Sequence, residues 1–172
     1  VSSINELGIA GAGYSKGPVR DGRIKPEIVA QGVNVRSSFP TNGYGGSSGT
    51  SMAAPAVAGG LALLYERYRQ LHSGADPDNG LMKALLCNGA ADAGNPGPDF
   101  VYGFGMINLL RSVNMLEQKN YLIQNISHGN SQAHQVTVGA GVAELKVMLY
   151  WNDAPALPLA ASALINDLDL TV

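Results

Sequence analysis

The uncharged run from Met52 to Tyr65 has few ways to settle in water. Ala53, Ala54, Ala56, Val57, Ala58, Leu61, Ala62, Leu63 and Leu64 predict a helix that continues to about Leu71. With apolar residues all round it, that helix is expected to be buried on every side. Gly59 and Gly60 each cost about 1 kcal/mol against Ala inside a helix, so close packing against neighbours must offset them. Pro55 collides with the carbonyl four residues earlier, that of Ser51, which makes this first turn a poor choice for stability alone. A loop of Gly and Ser, Gly43 to Gly49, leads in, and Ser51 falls at the first turn. Ser51 then has two readings. It is an N-cap whose oxygen accepts from a free backbone N–H, or it is a nucleophile at the positive end of the helix, where a developing oxyanion is favoured.

Around this helix the chain reads as mixed. Val1 to Gly17 is rich in turn formers and carries no clear element; Gly8 to Gly13 lacks the Gly-x-Gly-x-x-Gly spacing of a nucleotide loop. Ile28-Val29-Ala30 and Val33-Asn34-Val35 predict short strands, and Ser37 to Gly49 a flexible loop. Asp76-Pro77 is expected to open a second helix through Leu81, Leu85 and Leu86, stopped by Asn88-Gly89. Cys87 lies on it and reads as a small core hydrophobe. Asn108 is expected to cap a third helix, Leu109 to Leu116. From about residue 119 the period changes to two. Leu145, Val147, Leu149 and Trp151 alternate with Lys146, Met148 and Tyr150, and Leu168, Leu170 and Val172 with Asp167, Asp169 and Thr171. This pattern predicts half-buried strands of an antiparallel sheet. Two units follow, residues 1–118 and 119–172.

Gly49-Thr50-Ser51-Met52-Ala53-Ala54-Pro55 resembles, nearly letter for letter, the serine motif of the subtilisin-like serine proteases (subtilases). Asp21-Gly22-Arg23-Ile24-Lys25-Pro26-Glu27-Ile28-Val29-Ala30 resembles the segment that precedes that motif. Tyr102-Gly103-Phe104-Gly105-Met106-Ile107-Asn108 resembles the Gly-x-Gly that closes the catalytic domain. Glu27 stands where the family usually has Asp, Gln31 where Pro is usual, and Tyr14-Ser15-Lys16-Gly17-Pro18 where it has a Ser-Ser-Arg-Gly-Pro type sequence. Leu145 to Pro155 and Leu164 to Leu170 resemble the β-sandwich (jelly-roll) domain that follows the protease domain in one branch, the oxidant-stable alkaline proteases. The resemblance implies the C-terminal part of an α/β, parallel-sheet catalytic domain joined to the first strands of an antiparallel β-sandwich. It implies a secreted, extracellular serine endopeptidase acting on protein or peptide substrates through a Ser51 acyl-enzyme, with Thr50 and Gly49 as cleft neighbours.

A serine hydroxyl needs a base to take its proton and a carboxylate to orient that base. The family's chain order is Asp, His, Ser. His72, His128 and His134 all follow Ser51, and the family's oxyanion Asn also belongs upstream. The chain, with no initial Met, therefore reads as a piece of a longer protein whose partner is the upstream part of its own catalytic domain; alone, it is expected to be inactive. An α/β-hydrolase order would use Ser51, then Asp92 or Asp99, then His128 or His134. Against it, Gly49-Thr50-Ser51-Met52-Ala53 lacks the second Gly of a nucleophile elbow. A third reading is a non-catalytic binding or structural module on a degenerate scaffold.

Composition narrows the partners. With net charge −2 and no basic run, no nucleic-acid partner is expected. The longest apolar run is too short to span a membrane. One cysteine excludes an internal disulfide and a Cys-rich metal site. No cofactor is required for the chemistry. Asp153, Asp167 and Asp169 with Asn152 and Asn166 offer hard oxygen ligands for a structural calcium, or simply a solvated strand face. Asn125-Ile126-Ser127 matches a glycosylation acceptor.

Overall fold

The computed structural model describes residues 1–172. Four short strands and three helices follow one another: β1 (Ser2–Ile4), β2 (Val29–Gln31), β3 (Val35–Phe39), β4 (Gly43–Ser47), α1 (Thr50–Leu71), α2 (Asn79–Gly89) and α3 (Leu109–Glu117). β1 and β2 pair in parallel, with Ser3 opposite Ala30. β3 and β4 form an antiparallel hairpin, with Ser37 opposite Gly45. The architecture is mixed α/β, as the sequence pattern implies.

Two elements depart from expectation. β1 lies in the stretch that showed no element: all three of its residues are buried, so no alternation marks it, and Ser2 and Ser3 give it the composition of a loop. The loop expected from Ser37 to Gly49 is largely the β3–β4 hairpin. Its turn is made by Thr41 (φ 66°) and Asn42 (φ 60°), both left-handed, a conformation for which Asn carries little penalty.

The core forms where one stripe of α1 meets α2, α3 and β2. Ala53, Val57, Gly60 and Leu64, one face of the helix, are buried. They pack with Ile28, Ala30, Leu81, Leu85 and Leu116. Gly60 is there for close approach: a Cβ on it would lie 2.8 Å from Leu109 Cδ2. The opposite face is exposed, including Ala54, Ala58, Ala62 and Leu63, the last 60% exposed. Burial on every side, expected from the sequence, is therefore not observed; the elements present cover only one stripe of α1.

α2 begins at Asp78, not at Asp76. The Asp78 carboxylate accepts from the Gly80 and Leu81 N–H groups, at 2.7 and 3.3 Å, and Pro77 is buried just outside the helix. α3 begins as expected: Asn108 Oδ1 accepts from the Arg111 N–H at 3.1 Å. Between them, Gly103-Phe104-Gly105 turns the chain back beside β2, where Met106 bridges Val29 in parallel. Gly103 has φ 64°, and a Cβ there would sit 2.2 Å from the Pro26 carbonyl oxygen, so no other residue fits.

No residue beyond Leu116 is buried, and residues 121–172 hold no helix or strand. The antiparallel strands expected at 145–151 and 168–172, the start of a β-sandwich, are not formed. Alternation assigns the two faces of a strand but supplies no ladder partner, and backbone groups pair with what lies beside them. Residues 146–151 lie against α2 instead. The Lys146 carbonyl accepts from Asn88 Nδ2, Lys146 Nζ donates to the Ala90 carbonyl, and the Tyr150 ring faces Lys83 Nζ at 5.3 Å.

Candidate active site

Two hydrogen bonds build the entrance to α1. The Gly49 N–H donates to the Gly32 carbonyl at 2.7 Å, and the Asn34 N–H donates to Ser48 Oγ at 2.8 Å. Together they moor the chain just before Ser51 to the end of β2. Gly32 must be glycine for this: a Cβ on it would lie 2.4 Å from Ser3 Oγ and 2.6 Å from the Gly49 carbonyl oxygen.

Ser51 is the second residue of α1 and is exposed. Gly49 holds the N-cap position, and no side chain bonds the free N–H groups of the first turn. The capping reading of Ser51 is thereby excluded. The Met52 and Ala53 N–H groups both donate to the Gly49 carbonyl, while those of Thr50 and Ser51 find no backbone acceptor. Two unengaged donors thus stand beside an unengaged hydroxyl at the positive end of a 22-residue helix. Pro55 cannot donate, so the Ser51 carbonyl is also outside the helical ladder. Gly49, Thr50 and Ser51 form the N-cap and the first two residues of α1.

No histidine joins them. His72 ends the same helix, about 30 Å from its start at 1.5 Å per residue. Its Nδ1 donates to the Tyr68 carbonyl at 2.9 Å, so its Nε2 accepts from the Tyr121 hydroxyl at 3.2 Å, and its ring stacks on Tyr68 at 3.9 Å. It clamps the end of α1. His128 and His134 lie on the exposed, irregular tail. The carboxylates of the hydrolase reading are also committed: Asp92 accepts from the Ala93 and Gly97 N–H groups, and Asp99 from those of Asn95, Val101 and Tyr102. Burial opposes the Asp99 charge, but those three N–H bonds prevail and hold its pKa below the usual range. No Ser–His–Asp relay assembles within this chain. Asn5 Oδ1 accepts from the Leu7 and Ile9 N–H groups in a local turn.

One acidic residue of the tail, Asp153, has a structural use. Asp153 accepts from the Ala154, Ile165 and Asn166 N–H groups and from Asn166 Nδ2, tying 153 to 165–166. These bonds, led by that from Ile165, lower its pKa. No group of three His, Cys, Asp or Glu side chains is placed to hold a metal ion. Cys87 is 4% exposed, and burial pushes its thiol up to about 11, as a core residue should behave.

Sequence reading missed Glu27 as a structural centre. Its carboxylate receives Lys25 and, at 2.6 Å, Lys83. Burial raises its pKa, but the two ammoniums outweigh burial and bring it down to about 2. Lys25 and Glu27 are two apart in sequence, a visible hint; Lys83 comes from a distant helix and left none.

The family model described as "Subtilase family" matches residues 1–105. Subtilisin DY of Bacillus licheniformis is 41% identical over 83 residues, covering 48% of this chain and 27% of that protein. The minor extracellular protease Vpr of Bacillus subtilis (strain 168) is 49% identical over 59 residues, 30% of this chain and 7% of its own length. Among solved structures, the CspB protease of Clostridium perfringens superposes with a TM-score of 0.61 at 34% identity, over 67% of this chain and 26% of that one. The chain thus spans about a quarter or less of the length of these relatives. With the family model matching more than half of its residues, the chain belongs to the Subtilase family.

Proposed function

We propose that this chain supplies the nucleophile of a subtilisin-like serine endopeptidase and acts with an upstream part of the same catalytic unit. One observation carries the reading: Ser51, inside the family-matched region, presents an unengaged hydroxyl and N–H at the start of a long helix. In the reaction, Ser51 Oγ attacks the scissile carbonyl while its proton passes to a histidine base, and the Ser51 N–H donates to the oxyanion. The base returns the proton to the leaving amine, and water then hydrolyses the Ser51 ester to regenerate the hydroxyl. His72 is remote and His128 and His134 lie on the exposed tail, so the base and its orienting Asp must come from the upstream segment.

The exposed face of α1 gives that segment a place to pack. A groove of about 1110 Å³ beside it is lined by Ile28, Val57, Leu61, Tyr65, Met82 and Leu86. Residues 1–118 are the catalytic part and 119–172 a second unit. Substrates are proteins or peptides, and the location is extracellular, in keeping with a relative named as an extracellular protease. A chromogenic peptide anilide assay tests the reading. The chain alone is expected to be inert, and the chain mixed with its upstream segment to hydrolyse the anilide unless Ser51 is replaced by Ala. Turnover by the chain alone, or by the Ser51→Ala mixture, would contradict it.

A further inference from the structure

Residues 122–147 are exposed without interruption, and no other exposed run in the chain is longer than residues 36–42, which belong to the paired hairpin β3–β4. Among the backbone N–H groups of 122–147, those of Asn130 and Val142 donate within the protein, to the Ser127 and Gly139 carbonyls, and the others do not. Each of these two bonds closes one local turn, and no helix or strand includes the segment.

Both ends of this segment are moored. At one end the Tyr121 hydroxyl donates to His72 Nε2 at 3.2 Å. At the other, Lys146 exchanges hydrogen bonds with Asn88 and Ala90. The Tyr150 ring rests on the start of α2, where a Cβ on Gly80 would lie 3.0 Å from its Cε1. Farther along, the Ala163 N–H donates to Asp21 Oδ2 at 2.9 Å. The chain between the moorings is an exposed connection with nearly all its backbone groups unpaired.

That is the form in which an extended peptide docks on another protein, as an added strand held through its main-chain N–H and C=O groups. Groups already paired inside a protein must first give up that pairing, and 122–144 has almost none to give up. Side chains set the class of enzyme. Leu122 is 65% and Val136 60% exposed, with Ile123, Ile126 and Val138 also exposed. No Lys or Arg occurs from 122 to 144, so a peptidase directed to basic residues finds no site there.

We propose that residues 122–144 are a processing site for an endopeptidase that accepts apolar side chains, and that the cut releases residues 145–172 from α2. The peptide C–N bond breaks, water supplies the hydroxyl of the new carboxylate, and the leaving nitrogen takes the proton. Release follows from how residues 145–172 are held. None of them is buried, and their ties to the body are a few surface hydrogen bonds and the contact of Tyr150 with Lys83. An intact connection keeps them at an effective concentration on the order of a millimolar; cut loose in dilute solution, they leave.

The probe is thermolysin, which cuts beside apolar side chains, added in trace amount to the full chain. Mass spectrometry of the earliest products is expected to place the first cuts at Leu122, Ile123, Ile126, Val136 or Val138. The cut protein is then passed, dilute, over a size-exclusion column. Trp151 is the one tryptophan of the chain and travels with residues 145–172, so the large fragment should elute without tryptophan emission. No cut, or first cuts outside 122–144, would overturn the site; tryptophan emission that stays with the large fragment would overturn the release. Ser51 takes no part in this cut, so the outcome is independent of the chain's own activity.

Discussion

At the scale of single residues, the availability of Ser51 is set by its neighbours. Gly49 takes the cap position and leaves the serine hydroxyl without a helical task. Ser51→Ala should therefore change stability by less than about 0.5 kcal/mol, whereas loss of a true cap costs about 1 kcal/mol; urea unfolding separates the two. Gly32→Ala should behave oppositely. Its Cβ would meet the Gly49 carbonyl at 2.6 Å, where backbone must shift, and overpacking of this kind costs about 1–3 kcal/mol. An unchanged urea midpoint would contradict the close approach. Glu27 makes a pH-dependent contribution. Its folded pKa, about 2, lies below the ordinary value of 4.5. Its stabilisation is therefore complete above pH 4.5 and is lost as the pH falls towards 2. Glu27→Gln should flatten the fall in Tm over that window. At neutral pH it should cost on the order of 1 kcal/mol, because solvent screens the two half-exposed lysines. Equal Tm slopes in the two proteins would remove Glu27 from this role.

At the scale of elements, the helices were legible because their signals are local. The uncharged run placed α1, and Asn108 placed the start of α3 to the residue. The start of α2 was misplaced by two residues because Asp76-Pro77 and Asp78 offer overlapping caps, and only the geometry shows which carboxylate reaches the Gly80 N–H. Asp78→Ala should lower stability by about 1 kcal/mol, and Asp76→Ala, whose side chain is 67% exposed and meets Arg69 at 3.6 Å and the Tyr65 hydroxyl at the surface, by less; the difference in thermal midpoints decides between them. Strands were less legible because they depend on what lies beside them. Ser2-Ser3-Ile4 is a strand because β2 is there to pair with it, while the clear alternation at 145–151 forms none. The hairpin β3–β4 was concealed by its glycines, which carry no side chains to alternate.

At the scale of the whole molecule, the chain presents a site without its machinery and a helix without its full cover. The motif around Ser51 was readable in full, and its local geometry follows. All three histidines follow Ser51 in the chain, and none of them stands beside it. What could not be read was that α1 would show an apolar face to solvent, because composition reports how much of a helix prefers burial and not which surface is present to bury it. On the proposed function, one further segment that packs on α1 and brings a base to Ser51 would account together for the exposed apolar face and the unengaged serine hydroxyl. Labelling with a serine-directed fluorophosphonate tests this most directly, on the chain alone and on the chain mixed with its upstream segment, with Ser51→Ala as control. The account predicts labelling in the folded mixture only, abolished by Ser51→Ala; labelling of the isolated chain at Ser51, or none in a mixture shown to be folded, would contradict it.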